Sequence, residues 1–352
     1  MTRAILFGEV ACFYAEVERA DDPTLEGHAI IVGGDPHKRG LVQAASSEAL
    51  AAGVTTDLTV LEALKLCPHA RATRTNMRRY REVSRQLFAC LRRGFDWLEP
   101  YGLGAAYFDV TGAGDSPEGI AQSLRSLVAD ELGLPLRVGI ASGKFLARLA
   151  AQEAGSPGWF RIPSSGEADF LSPFPVTRLE GVGEKTAATL AELGAERIGE
   201  LIEIGPGPLQ EALGTHGLRV HAYAAGRDDR PVRAARHPQS VSREATLTET
   251  RDLDVLAVQL QELAASLEAE LRSQRLSASR VILKVRFADR VTTTRSQTLT
   301  APIASAAGIQ QVAVRLLART QAGSRPSRGL GIQLGRLQHE GEGDRQLDLF
   351  PR

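Results

Sequence analysis

The sequence predicts an α+β multi-domain protein, and three observations carry that prediction. Through residue 165, short apolar and β-branched runs alternate with amphipathic helical stretches. From 166 to 232 the pattern turns to short helices joined at glycines. From 233 to 340 a second αβ region follows in the order β-α-β-β-α-β, and residues 341–352 form a Gly-rich polar tail. A chain of 352 residues is long enough for roughly two to four domains with cores of their own.

Each element has a local reason. Arg3–Val10 is short and apolar, a buried strand, and a helix begins at Cys12. His28–Gly34 and Gly40–Ser46 are two further strands; Ser47–Gly53 and Thr59–Cys67 are helices, the second stopped by Pro68. Asn76–Phe95 is a long basic helix whose Val83, Leu87 and Leu91 recur at helical spacing and face a core. After Glu99, Gly102 and Gly104 permit a tight turn, and Tyr107–Thr111 has strand composition. Helix Ser116–Leu132, buried strand Leu136–Ala141 and helix Phe145–Glu153 follow. Arg227–Pro238, polar and proline-bearing, is a linker. The last region contains strands at Ser240–Thr248, Arg280–Phe287, Thr292–Leu299 and Arg328–Leu334, with helices over Leu253–Arg272 and Ile309–Arg319.

Composition narrows the function. The chain is 43% hydrophobic and 24% charged, as expected of a soluble globular protein. No apolar run reaches membrane-spanning length, and Met1–Ala4 leads straight into a strand, so neither a signal peptide nor a membrane partner is expected. Cys12, Cys67 and Cys90 lack CxxC spacing, which points to reduced thiols in the cytoplasm rather than disulfides or zinc. Net charge is zero but unevenly spread. Residues 233–340 hold 16 Lys and Arg against 9 Asp and Glu, a balance of +7, which leaves −7 for the rest. A basic module on an acidic body suits a polyanion. Gly181 and Gly183, followed by Lys185 and Thr186, have the helix-hairpin-helix form G-x-G-x-[KT], in which glycines let a backbone phosphate reach the amides of a helix start. Ser242, Arg243, Thr294, Arg295 and Arg328 are the strand positions of this basic module that would meet such a polyanion. The tail ends in Gln346, Leu347, Asp348, Leu349 and Phe350, apolar residues on a polar tether that call for a partner.

Several of these motifs resemble the Y-family (translesion) DNA polymerases. Gly102–Thr111 (GLGAAYFDVT) is similar to the family's palm signature S-L-D-E-A-Y-x-D-V-T, and Ile5–Glu18 aligns without a gap on I-L-H-V-D-M-D-A-F-F-A-S-V-E. Ala44–Leu50 resembles A-A-S-Y-E-A-R of the fingers, and Ala154–Gly158 stands where the family has N-K-P-D-G. The resemblance implies a polymerase right hand: a palm over 1–165 with fingers inserted at about 12–74, a helix-hairpin-helix thumb over 166–232, a β-α-β-β-α-β little finger over 233–340 and a flexible tail. It implies primer–template DNA as a partner, a nucleoid location, and, from the Q-L-x-L-F form of Gln346–Phe350, the bacterial sliding clamp.

The resemblance also marks losses. Two-metal phosphoryl transfer needs clustered carboxylates, and the family's palm pair falls on Gly104 and Ala105. Glu9 falls on the first metal-binding Asp and Ala11 on the second acidic position; Tyr14 falls on the steric gate that rejects a ribose 2′-OH. The Tyr, Arg and Lys that hold the triphosphate fall on Ser47, Leu50 and Gly155. Asp109 lies four residues past Ala105, roughly 13 Å along a strand, too far to substitute. The resulting expectation is a non-catalytic homologue without a metal cofactor, similar in logic to the silent ImuB-type subunits of mutagenesis complexes, scaffolding an active error-prone polymerase and a recombinase-like accessory protein on DNA and clamp. Two alternatives stand beside it: a weakly active translesion polymerase using Mg²⁺ on Glu9 and a further carboxylate such as Glu99, and an adaptor that no longer touches DNA.

Overall fold

The computed structural model describes residues 3–95, 98–233 and 240–339. The chain divides into two units, Met1–Ala235 and Arg236–Arg352. The first unit begins with β1 (Ile5–Val10), α1 (Phe13–Asp21), β2 (Ile30–Gly33), β3 (Val42–Ala45), α2 (Ser47–Ala51), α3 (Val60–Leu66) and β4 (Arg71–Arg74). It continues through α4 (Met77–Arg92), β5 (Leu98–Tyr101), β6 (Ala105–Asp109), α5 (Pro117–Leu132), β7 (Leu136–Ala141), α6 (Lys144–Glu153) and β8 (Gly158–Arg161). Short helices α7 (Glu167–Leu171), α8 (Glu184–Glu192), α9 (Ile198–Ile204), α10 (Pro206–Leu213) and α11 (Thr215–Ala224) complete it.

Two sheets organise this unit. The larger has the order β5-β6-β1-β7-β8, so the first strand of the chain is its centre. That explains why Ile5, Leu6 and Phe7 are all apolar and wholly buried: a central strand has no face left for water. Leu6 and Val10 pack with Leu87 and Leu91 of α4 and Leu124 and Val128 of α5. Ile5 and Phe7 pack on the other face with Phe145 and Leu149 of α6. Each such side chain contributes about 1.5–3 kcal/mol when fully buried. The same second core runs on through Leu171, Leu190, Leu201 and Val220, so the stretch 166–232 shares its apolar interior with the sheet. The smaller sheet, β3-β2-β4, has a core of its own around Ile31, Val42 and Val60.

Helix ends follow from local chemistry. Asn76 caps α4 by accepting from the Arg79 amide at 3.2 Å. Ser116 caps α5, Pro117 occupies its first position, and Gly133 ends it at φ 65°. Thr59 and Glu62 close a capping box on α3.

The segment expected as a linker is fastened down over its first half. The side chain of Asp228 is 1% exposed; its carboxylate accepts from the Phe145 amide at 2.8 Å, capping the first turn of α6, and from Arg230 Nε and Nη2 at 2.8 and 2.7 Å. Arg3 donates to the carbonyl oxygens of Asp228 and Arg230.

The second unit comprises β9 (Ser240–Thr250), α12 (Leu253–Gln274), β10 (Leu276–Phe287), β11 (Thr292–Ile303), α13 (Ala306–Leu317) and β12 (Ser327–His339). Its antiparallel sheet has the order β11-β10-β12-β9. Leu256, Leu260 and Leu267 of α12 and Ile309 and Leu316 of α13 cover one face, against Val281, Leu283, Val285, Ile332 and Leu334.

Candidate functional site

The centre of the large sheet sets the geometry of the first candidate site. Glu9, near the end of β1, lies opposite Ala105 of β6 on one side and Arg137 of β7 on the other. The three therefore share one face of the sheet, and Arg137 donates to Glu9 Oε2 from Nε at 2.9 Å and Nη2 at 2.6 Å. Gly104 accepts from the Val10 amide at 2.8 Å. A Cβ at position 104 would lie 2.8 Å from Cβ and two ring carbons of Phe13, so that ring fills the space a side chain would take. Ala105 is buried at 4% exposure.

The other carboxylates of the neighbourhood are committed elsewhere. Asp109 sits opposite Ile5, at the far end of the β1–β6 ladder, and accepts from the Thr111 amide at 3.0 Å. Glu99 sits opposite Tyr107, accepts from Lys144 Nζ at 2.6 Å and takes the Arg233 amide at 2.8 Å. Lys144 Nζ also lies 4.8 Å from the centre of the Tyr107 ring. Burial pushes the Tyr107 hydroxyl pKa well up. Among the described residues no group of three or more His, Cys, Asp or Glu is placed to hold a metal ion. The donor set at the head of β1 is thus one glutamate, bound to a guanidinium, and it does not fit a pair of divalent ions.

Beside this ladder lies an open cleft of about 1040 Å³. Ala11, Cys12 and Glu16 from the start of α1, Ser47 and Leu50 from α2, and Arg125 and Arg137 form its wall, with Ser156 and Pro157 at the rim. Cys12 caps α1 in the left-handed region at φ 53°. Burial, with help from Glu16, raises its thiol pKa. Arg19 is held by Glu16 at 2.6 Å and Glu48 at 3.1 Å. Arg125 touches Gln122 through Nη1 at 2.8 Å and forms no ion pair among the described residues; its Nε is buried without a partner. Tyr14 is not in the wall: its ring stacks on Tyr80 at 4.3 Å, and the Tyr80 hydroxyl donates to Glu18 at 2.5 Å. Gly155 has φ 66°, a conformation that suits glycine better than lysine.

The hairpin glycines stand at a helix start. Gly181 has φ 87°, Gly183 is the N-cap of α8, and both are exposed with Lys185, while Thr186 is half-buried. The first intrahelical bond is made by the Ala187 amide to Gly183 O, which leaves the amides before it turned outward. Sequence reading missed two neighbours from α11: His216 Nε2 lies 3.1 Å from Gly181 O, and Arg219 lies 2.8 Å from His216 Nδ1.

The five strand positions expected on DNA do not act together. Ser242 and Thr294 border one hollow on the open face of the second sheet. Arg243 and Arg295, their chain neighbours, point the other way. Arg243 donates to Ser266 and Glu270 of α12 at 3.0 Å, and Arg295 donates to the Arg319 carbonyl at 3.0 Å. Arg328 falls at a ladder irregularity of β12. The open face instead presents Arg280, Lys284 and Arg286 of β10, which the sequence reading did not single out. The residues Gln346–Phe350 lie outside the described residues.

Comparisons place these features. Residues 9–152 match the impB/mucB/samB family model, and residues 238–349 match the C-terminal domain model of that family. A DNA polymerase IV of Halorhodospira halophila is 38% identical over 352 residues, covering 99% of this chain and 98% of that protein. A DNA polymerase IV of Pseudomonas aeruginosa is 40% identical over 264 residues, 74% of this chain and 75% of that one. Among solved structures, a Y-family DNA polymerase chimera built on Dbh shares the fold with a TM-score of 0.84 at 22% identity, over 96% of this chain and all of that one. Among the described residues no helix is long and apolar enough to cross a membrane.

These relatives correct one expectation drawn from the sequence. The chain was expected not to be an enzyme, because Gly104 and Ala105 replace carboxylates; near full-length identity of 38% to a DNA polymerase IV points instead to a DNA polymerase. By both family models and by its relatives, the chain belongs to the Y family of DNA polymerases.

Proposed function

We propose that this protein is a template-directed DNA polymerase of the translesion kind, held at primer–template DNA and fastened to a sliding clamp through Gln346–Phe350. One observation carries the reading: identity to a DNA polymerase IV extends over 99% of the chain, cleft, hairpin and second sheet alike. Three features of the chain support it. The 1040 Å³ cleft is large enough for a nucleotide, and Arg125 offers in its wall a guanidinium that touches Gln122 and forms no ion pair among the described residues. The exposed amides at the start of α8 suit a backbone phosphate. The open face of the second sheet adds cations that grip DNA without reading its sequence, which fits damaged templates.

Glu9 and Arg137 hold each other at the head of β1, and no step is assigned to an ion there. The test is primer extension by purified protein on a primed template, with Mg²⁺ and with Mn²⁺. Templated incorporation that co-elutes with the protein is the expected result. DNA binding without incorporation under both ions overturns the reading.

The clamp contact has its own test. Leu349→Ala with Phe350→Ala is expected to abolish binding to a bacterial sliding clamp in surface plasmon resonance, with primer–template affinity unchanged. Undiminished clamp binding removes that part of the proposal.

A further inference from the structure

The open face of the second sheet sets an acid between two of its cations. Glu244 of β9 lies opposite Gly331 of β12, and Gly331 lies opposite Lys284 of β10. The carboxylate reaches across the glycine: Oε1 accepts from Lys284 Nζ at 3.0 Å and Oε2 from Arg286 Nη2 at 3.1 Å. The position is built rather than accidental. A Cβ at position 331 would lie 2.7 Å from Glu244 Cγ, so glycine is what leaves the side chain its path. The carboxylate, Lys284, Ser242 and Thr294 all border one hollow of about 120 Å³.

We infer that Glu244 sets the affinity of a phosphate-binding face, keeping Lys284 and Arg286 in an internal pair that DNA phosphates must displace. A cation that neutralises a phosphate gains by releasing the counterions condensed on DNA. A carboxylate resident on two such cations competes for that gain. All three groups are more than a third exposed, so the internal pair is weak and readily exchanged. The outcome is a moderated grip: the face binds DNA, yet each phosphate that leaves is replaced at once by an attached anion. The inference rests on the polymerase reading only in taking the polyanion to be DNA.

The experiment is fluorescence anisotropy of the full-length protein with a labelled primer–template over a salt series. Wild type, Glu244→Gln and Gly331→Ala are compared, with circular dichroism confirming that each is folded. Glu244→Gln, nearly isosteric, is expected to bind several-fold more tightly. Its slope of log affinity against log salt should steepen by up to about 1.8, at about 0.9 per freed cation. Gly331→Ala, which crowds the carboxylate from its seat, shifts affinity in the same direction. Equal affinity and slope for wild type and Glu244→Gln overturn the inference and leave the DNA reading intact. Weaker binding by Glu244→Gln overturns it too, since the carboxylate would then be accepting from DNA. Failure of every form to bind DNA overturns the inference and the reading together.

Discussion

The two large sheets of this protein treat charge in opposite ways. In the first unit, charges at the sheet and its borders are matched inside the fold: Glu9 with Arg137, Glu99 with Lys144, and Glu180 with Arg148 and Arg230. In the second, helices cover one face and the other carries Arg280, Lys284 and Arg286 on a single strand, the last two held only by exposed pairs with Glu244. At a sheet packed on both faces the ions are partly buried and are satisfied internally, because an unpaired charge there is costly. A sheet open on one face can leave them to a partner. The contrast separates residues that hold the molecule together from residues that hold something else.

Charge reversal on the open face is the strongest way to test the contrast. Lys284→Glu with Arg286→Glu is expected to cut primer–template affinity by tenfold or more, about 1.4 kcal/mol for each factor of ten. The salt slope should fall, by less than the ~1.8 that two wholly free cations would supply, because Glu244 already holds part of their charge, and thermal stability should hardly change. Intact affinity in a filter-binding titration would mean that the open face is not where DNA sits.

Asp228→Asn probes the sealed side and should do the reverse. It weakens the cap of α6 and takes from Arg230 one of its two carboxylate partners, leaving Glu180, at a cost of about 1–3 kcal/mol of stability, with the DNA salt slope unchanged. Burial pushes the Asp228 carboxyl up, but the Arg230 guanidinium and the Phe145 amide outweigh it, and its pKa ends below the ordinary value. A depressed carboxyl gives stability that is full above its unfolded-state pKa, near ~4, and is lost as pH falls through the lower folded value. The gap in melting temperature between wild type and Asp228→Asn should therefore close on acidification below that range. A constant gap would assign the effect to packing alone.

The smallest effect is expected where sequence reading had placed DNA contacts. Arg243→Ala with Arg295→Ala should alter duplex affinity less than twofold, because both guanidiniums are engaged beside the helix-covered face. A large loss would erase the distinction between the two faces.

Much of the fold was legible because it rests on strong local signals. β1 and β7 are mostly apolar runs, each interrupted by a single charged residue, Glu9 and Arg137, and α4 and α5 show both period and caps. β4 (Arg71–Arg74) and β8 (Gly158–Arg161) were not legible: each is a four-residue edge strand without a buried apolar run, β4 polar and exposed and β8 a Gly-Trp-Phe-Arg stretch, and each is specified by a distant parallel partner rather than by its own residues. The second sheet shows a subtler limit. Ser242 with Arg243, and Thr294 with Arg295, are adjacent in the chain, and the two-residue pleat forbids both members of either pair from facing the same way. With polar residues on alternate sides, nothing in β9 or β11 alone says which set is outward. The pairing of Glu9 with Arg137 was likewise invisible, because 128 residues separate them and only the β1–β7 register brings them together.

The fastening of Asp228 and Arg230 has a mechanical consequence. Tension drawn along the backbone from the second unit does not arrive first at α11, the helix before it in sequence. It is taken up at the opening turn of α6, beside Lys144, and at the Glu99 edge of the large sheet, where Arg233 is tied.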